Sequence, residues 1–193
     1  MELNSTFPPD LRVLVDLFYL SLDDVGQFAP VEAAAMPSPF RELLAHHEHM
    51  TVTVEAHCGR PVDVEVLQIH RSPTHYSRKI VLRPQSDRHA VLFGLVRLNL
   101  SFLDPQVRTE IESQRLPLGR VLIEHNVLRH VRLLSLWRIE PAAELRELFG
   151  LQPGQPCYGR TALIYCNGVP AVELLEIVPP VNRSGAGGTA ATA

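Results

Sequence analysis

One cation stands among the apolar residues of a predicted β-strand, in the stretch His75-Tyr76-Ser77-Arg78-Lys79-Ile80-Val81-Leu82. Because successive side chains of a strand point to opposite faces, Arg78 shares its face with Tyr76 and Ile80. A guanidinium is always charged and is costly to bury without a partner. We therefore expect Arg78 to meet a carboxylate, which is either an internal glutamate with a structural role or the acid group of a ligand.

Further residues along the chain could bind a small anion or exchange a proton with it. They are Leu118, Gly119, Arg160, Glu173 and Glu176. Pro117 fits the first turn of a helix, whose free amides would lie beside Leu118 and Gly119. Cations and free amides bind carboxylates, and a buried carboxyl group with a raised pKa can hold or remove a proton. Together with Arg78, these residues predict a pocket for a small organic anion.

Other patterns that often carry chemistry do not complete a site. The run His46-His47-Glu48-His49 is not an HExxH motif and has no further ligand at a suitable spacing, so we interpret it as a solvated helix end. Cys157 and Cys166 fall in predicted strands without a histidine partner, which favours small buried residues over nucleophiles. GxSxG, P-loop and GxGxxG motifs do not occur. We expect neither a metal nor a cofactor.

Length and composition favour one domain. The 193 residues are 46% hydrophobic, which is enough for one core, and we place the domain at residues 1–180. Residues 181–193 are rich in Gly, Ala, Ser and Thr, so we expect them to be disordered. The net charge is −3 and no basic stripe is present, which argues against a nucleic-acid partner.

Cysteine usage and apolar patterning indicate the compartment. Three cysteines without a CxxC pattern argue against a disulfide framework and favour a reducing cytoplasm. The first ten residues lack the basic start and apolar run of a signal peptide, and no apolar span is long enough to cross a bilayer. We therefore expect a cytoplasmic protein that does not insert into a membrane.

Hydrophobic periodicity predicts several antiparallel hairpins with helices inserted between them. The predicted helices lie at residues 11–20, 39–47 and 105–114, after Pro117, and at residues 142–148. The predicted strands pair 50–56 with 62–67, 75–82 with 91–98, and 157–166 with 171–178, and a long strand covers 128–139. Residues 21–39 are predicted to be an irregular connection. This order predicts an α+β domain, in which helices lie mainly on one side of one antiparallel sheet.

Several short motifs follow one another in an order that resembles the chorismate pyruvate-lyase (4-hydroxybenzoate synthase) family. They are Met50-Thr51-Val52, Tyr76 to Leu82, Pro117-Leu118-Gly119-Arg120, Tyr158-Gly159-Arg160, Gly168-Val169-Pro170 and Glu176-Ile177-Val178-Pro179. The resemblance covers residues 50–179. It implies a chorismate lyase-like fold in which two helix-turn flaps cover a buried ligand, and a carbon–oxygen lyase that converts chorismate to 4-hydroxybenzoate and pyruvate without a cofactor.

The resemblance also implies roles for individual residues. Arg78 matches the arginine that holds the ring carboxylate, and Met50 and Leu118 match residues that offer backbone groups to the ligand. Glu176 matches the acid that faces the ring hydroxyl, so the implied catalytic residues are Glu176 and Arg78. Arg160 matches a recurrent arginine, which either meets a second carboxylate or pairs with a glutamate of the neighbouring strand.

Two departures from the family pattern bear on the acid. Leu175 stands where the family often has a small hydroxyl residue, directly before the final glutamate. Glu173 is a rival for Glu176, although in a regular strand the two side chains point to opposite faces. Only a bulge could bring both towards one ligand.

Two other functions are consistent with the same fold. The UTRA effector domains of bacterial transcription regulators share it and bind small molecules without converting them, and a shared fold does not determine function. We find no winged-helix segment before the domain, which favours the enzyme. The remaining alternative is a lyase or isomerase that acts on a related small carboxylate.

Overall fold

Seven strands form one sheet in the computed structural model, which describes residues 11–85 and 89–180. The strands are β1 (Gly26–Pro30), β2 (Val62–Arg71), β3 (Tyr76–Pro84), β4 (Leu92–Leu98), β5 (Arg129–Pro141), β6 (Cys157–Cys166) and β7 (Val169–Val178). Their order across the sheet is β1-β5-β6-β7-β4-β3-β2, and every neighbouring pair is antiparallel. The predicted strand pairs β3–β4 and β6–β7 are confirmed.

Helices cover both faces of this sheet unequally. They are α1 (Leu11–Val15), α2 (Phe40–Leu44), α3 (Met50–Cys58), α4 (Pro105–Glu112), α5 (Leu118–Glu124) and α6 (Ala143–Phe149). Buried side chains of α2 to α5 pack on one face, whereas α1 and α6 pack on the other. The predicted α+β class, with helices mainly on one side of an antiparallel sheet, is therefore confirmed. None of the described helices is long and apolar enough to cross a membrane.

The predicted strand at residues 50–56 is wrong, because this segment is the helix α3. Its alternating valines and threonines are typical of a strand, yet the buried residues are Met50, Thr51 and Val54, which lie on one side of a helix. Gly59 ends the helix with a left-handed backbone (φ 67°), a conformation that glycine adopts readily. Consequently β2 pairs with β3 and not with this segment.

The predicted irregular connection at residues 21–39 contains an edge strand. In it, β1 pairs with β5 from Gly26 opposite Pro141 to Pro30 opposite Trp137. A proline is tolerated there because an edge strand can lack a backbone donor on its open side. The sequence pattern also predicts Ser38 as the cap of the helix at residues 39–47. This prediction is wrong, since Pro39 directly precedes α2 and no side chain caps that helix.

Strict alternation along the long strand β5 predicts one shared face for Val131, Leu133, Ser135, Trp137 and Ile139, and a bulge makes this prediction wrong. The pairing of β5 with β6 shifts between Leu133 and Ser135, so alternation is interrupted there. As a result Val131 and Leu136 pack on the face of α3 and α5, while Ile139 packs on the opposite face.

The other predicted helices are confirmed with shifted ends. α4 and α5 follow the predictions closely, and α6 ends at Gly150, whose φ is 65°. α1 is shorter than predicted and ends at Val15. Asp10, which its position directly before this helix predicts as a cap, lies outside the described residues, as does the tail at residues 181–193.

Candidate functional site

Arg78 lies near the middle of β3, between β2 and β4, with 1% of its surface exposed. Its Nε and Nη1 have no hydrogen-bond partner, and it forms no ion pair with an acid anywhere in residues 11–85 and 89–180. Burial lowers the pKa of the guanidinium, because the charged form is poorly solvated there. The internal glutamate that a structural role requires is thus not found among the described acids.

A small cavity lies against Arg78 and holds about 40 Å³ of free volume, which is room for about three water molecules. Three kinds of element line it: the first turn of α3, the first turn of α5, and side chains of the sheet. The lining residues are His49, Met50, Thr51, Val64, Arg78, Ile80, Leu82, Leu92, Gly94, Val96, Pro117, Leu118, Gly119, Ile164, Leu174 and Glu176. The cavity therefore brings together Met50, Arg78, Leu118, Gly119 and Glu176, all predicted from the sequence.

The beginnings of α3 and α5 approach each other closely above the cavity. A Cβ atom at Gly119 would lie 3.1 Å from Thr51 Oγ1 and 3.3 Å from His49 Cβ, so only glycine fits without displacement. His49 occupies the cap position of α3, and its side chain makes no capping hydrogen bond. The first backbone amides of α3 therefore lack a side-chain partner, and the helix dipole makes this end favourable for an anion.

A glycine of β4 shapes the floor of the cavity. Gly94 lies opposite Ile80 on β3 and opposite Glu176 on β7. A Cβ atom at Gly94 would come within 3.2 Å of the Ile80 side chain. Gly94 was not among the site residues predicted from the sequence, although a glycine inside a strand often marks a place where another group packs closely against the backbone.

Arg160 is fully occupied by partners within the protein. Its Nε donates to Glu176 Oε2 at 2.8 Å, Nη1 donates to the carbonyl of His46 at 3.1 Å, and Nη2 donates to the carbonyl of Glu48 at 3.0 Å. Arg160 is 1% exposed and does not line the cavity. It makes the internal pair that was one of its two predicted roles, and its contact with a ligand stays a prediction.

The two candidate acids lie on opposite faces of β7. Glu176 lines the cavity, whereas Glu173 pairs with Arg97 at 2.8 Å on the other face. Burial raises the pKa of Glu176, and the neighbouring Arg160 partly opposes that shift. Of the two acids, Glu176 is therefore the one that lines the cavity, and its role in proton exchange stays a prediction.

The interpretation of the histidine run as a solvated helix end is wrong for His49, which is 8% exposed and lines the cavity, whereas His47 and Glu48 are exposed. Arg129 Nε donates to His49 Nε2 at 2.9 Å. His46 and His47 contact the carbonyls of Leu43 and Val131 instead. Across the described residues, no cluster of His, Cys, Asp or Glu is arranged to hold a metal ion. The available signal for His49 was its position directly before the Met50 motif.

His49 should make stability depend on pH. Burial, followed by Arg129 and Arg160, lowers the pKa of His49 from 6.5 to about 4. Between about pH 6.5 and about pH 4, His49 is protonated in the unfolded chain and neutral in the folded protein. The free energy of unfolding therefore falls as the pH drops below about 6.5. Between about pH 7.5 and about pH 4.5, we expect the wild type to lose roughly 2–3 kcal/mol more than His49→Asn, measured by urea unfolding. Equal losses would contradict the buried, neutral state of His49.

Comparison with known proteins rests on structure, because no family model and no curated protein matches the chain. The effector domain of PhnF from Mycobacterium smegmatis matches with a TM-score of 0.52 at 12% identity, over 69% of this chain and 89% of that domain. The chain has the fold of the PhnF effector domain. A longer PhnF structure matches with a TM-score of 0.51 at 12% identity, over 68% of this chain and 64% of that chain.

The PhnF match confirms the predicted UTRA-like architecture, which is also the chorismate lyase-like fold. The TM-score of 0.52 shows a common fold, whereas at 12% identity the chemistry of the cavity has to be argued from its own residues.

Proposed function

We propose that this chain binds a small cyclic or aromatic carboxylate in the cavity between β3, α3 and α5, as a ligand-binding module. The observation that carries the proposal is Arg78, a cation that is 1% exposed and lacks an acid partner among the described residues. A buried, unpaired charge is strongly unfavourable, so it is retained where a partner of opposite charge arrives from outside.

The rest of the lining fits a ring. Apart from Arg78, Glu176, His49 and Thr51, the cavity is lined by aliphatic side chains, methionine, proline and glycine. Such a surface binds the apolar part of a ligand, while a few polar groups fix its orientation. A flat ring with one carboxylate directed at Arg78 satisfies both requirements.

Two observations favour binding over catalysis. The structural match is to the effector domain of PhnF, and an effector domain is one that binds an effector molecule. In addition, Glu176 Oε2 already accepts a hydrogen bond from Arg160 at 2.8 Å, so one of its two oxygens is engaged within the protein.

A lyase acting on chorismate is the second candidate, favoured by the position of Glu176. This acid lies in the same cavity as Arg78, and burial raises its pKa. Met50 and Leu118 also line this cavity, which supports the backbone roles that the resemblance implies for them. In this reaction chorismate loses its enolpyruvyl group as pyruvate and a ring proton is removed, so orientation and one proton acceptor suffice.

One experiment separates the two candidates. Purified protein is titrated with 4-hydroxybenzoate by calorimetry and is incubated with chorismate, while pyruvate and 4-hydroxybenzoate are followed. We expect 4-hydroxybenzoate to bind without turnover of chorismate. Turnover that is lost in Arg78→Met would establish the lyase instead. The carboxylate site would be overturned if neither 4-hydroxybenzoate nor benzoate bound and chorismate was not turned over.

A further inference from the structure

His49 and Arg129 form a contact beside the cavity that is independent of the Arg160–Glu176 pair. Arg129 begins β5, and its Nε donates to His49 Nε2 at 2.9 Å. Arg129 Nη1 donates to the carbonyl of Val127 at 3.1 Å. Within residues 11–85 and 89–180, Arg129 forms no ion pair with an acid. The contact with His49 therefore keeps its cation close to the α3 end of the cavity.

This contact determines which nitrogen of His49 carries the proton. A guanidinium can only donate, so the Nε2 atom that it meets must be the acceptor. A neutral imidazole has one acceptor nitrogen and one N–H, which leaves the proton on Nδ1. A charged imidazole, with two N–H groups, could not accept from Arg129 at all. His49 is thus a neutral donor in a fixed tautomer.

The tautomer has a consequence for α3. A cap side chain must accept hydrogen bonds from the first amides of the helix, and Nδ1–H cannot accept. In agreement, His49 occupies the cap position of this nine-residue helix without making a capping bond. The amides of the first turn stay available, next to a cavity that Arg78 also lines without a partner on Nε or Nη1.

The polar groups of the residues at this end of the cavity are therefore mostly donors. They are the guanidinium of Arg78, the first amides of α3 and the Nδ1–H of His49, and the hydroxyl of Thr51 can both donate and accept. Glu176 is an acceptor, and its Oε2 is already engaged by Arg160. A carboxylate brings two acceptor atoms to these donors, whereas the corresponding primary amide brings only one.

We infer that His49 is a further ligand-binding residue, which donates its Nδ1–H to the carboxylate of the ligand, and that Arg129 is the positioning residue that fixes the tautomer. An uncharged donor adds a hydrogen bond without placing another cation beside Arg78 and Arg160. The inference deepens the proposed function and rests on it. It predicts selection of carboxylates over the corresponding amides.

The first test is spectroscopic and uses the full chain. Nitrogen-15 chemical shifts of the His49 ring are expected to show Nδ1–H in the free protein, and both tautomers in Arg129→Leu. A role of Arg129 in stability alone would leave the tautomer unchanged. Finding Nε2–H in the wild type would overturn the inference.

The second test measures binding of 4-hydroxybenzoate by calorimetry, with 4-hydroxybenzamide as the matched amide. Asparagine can place an N–H close to the position of Nδ1, so we expect His49→Asn to stay within about threefold of wild type. His49→Leu, which lacks a donor, is expected to weaken binding by about tenfold or more. Urea unfolding of both variants ensures that folded proteins are compared.

The outcomes separate this inference from the proposed function. If wild type binds 4-hydroxybenzoate and folded His49→Leu binds equally well, His49 is not a ligand residue and the carboxylate site stands. If wild type binds neither 4-hydroxybenzoate nor benzoate, the proposed function fails. The tautomer measurement then still decides whether Arg129 fixes His49. Equal affinity for the acid and the amide would also contradict the donor arrangement.

Discussion

Replacing Arg78 with methionine is expected to raise the free energy of unfolding by about 1–3 kcal/mol, because a buried polar group without hydrogen-bond partners is removed. Methionine is flexible enough to occupy the same space. The same change should weaken binding of 4-hydroxybenzoate by at least about thirtyfold, since loss of one partner of a buried charge pair costs about 2–5 kcal/mol. Urea unfolding and calorimetry measure the two effects.

A matched control lies on the adjacent strand. Arg97 pairs with Glu173 on the opposite face of the sheet and is partly exposed. Arg97→Met should lower the free energy of unfolding by less than about 1 kcal/mol and leave binding unchanged. If Arg78→Met instead destabilised the protein strongly, Arg78 would have a structural partner, and the carboxylate site would lose its main support.

Arg160→Met is expected to have the largest effect on stability. Arg160 donates to Glu176 and to two backbone carbonyls, and its side chain is 1% exposed. Removing it leaves a buried carboxylate and two carbonyls without their donors, so we expect a loss of about 3–5 kcal/mol in the free energy of unfolding. Urea unfolding at neutral pH measures this loss.

A double variant divides that loss into two parts. Combining Arg160→Met with Glu176→Leu removes both charges, and replacement of a whole buried pair by apolar residues is often nearly neutral. We expect partial recovery, because the carbonyls of His46 and Glu48 still lack a donor. Full recovery would mean that those two carbonyls contribute nothing. A loss below about 1 kcal/mol in Arg160→Met alone would show that the network is dispensable.

The sequence predicted the central strands well because their side chains alternate without interruption. In β3 the alternation correctly placed Arg78 on the same apolar face as Tyr76 and Ile80, and in β7 it correctly separated Glu173 from Glu176. These strands pair along continuous registers over the region of the cavity, so local periodicity and tertiary position agree.

Prediction failed where tertiary contacts override the local pattern. The segment from Met50 to Cys58 alternates like a strand, yet it folds as a helix because burial of Met50, Thr51 and Val54 on one side is favoured. In β5 a single bulge after Leu133 changes which residues face α3. The sequence of α3 has no helical periodicity that would reveal its buried face. A bulge likewise has no reliable signature in a single sequence.

The missing partner of Arg78 could also not be predicted from its own strand. Arg78 lies opposite Val96 on β4, and the cavity acid Glu176 lies opposite Gly94, two residues further along and one strand away. Whether an acid reaches Arg78 depends on this register and on Arg160, which engages Glu176 from β6. His49 was missed for a similar reason, because its neighbour Arg129 is 80 residues away in the chain.

The close approach of α3 and α5 affects rates as well as affinity. With Gly119 packed against Thr51 and His49, the cavity holds only about 40 Å³, far less than the several hundred Å³ of typical ligand sites. A ring acid therefore enters only when the two helix ends separate, and it leaves only when they separate again. Association should be slower than the roughly 10⁵–10⁷ M⁻¹s⁻¹ that is usual without a conformational step, and bound ligand should have a long residence time.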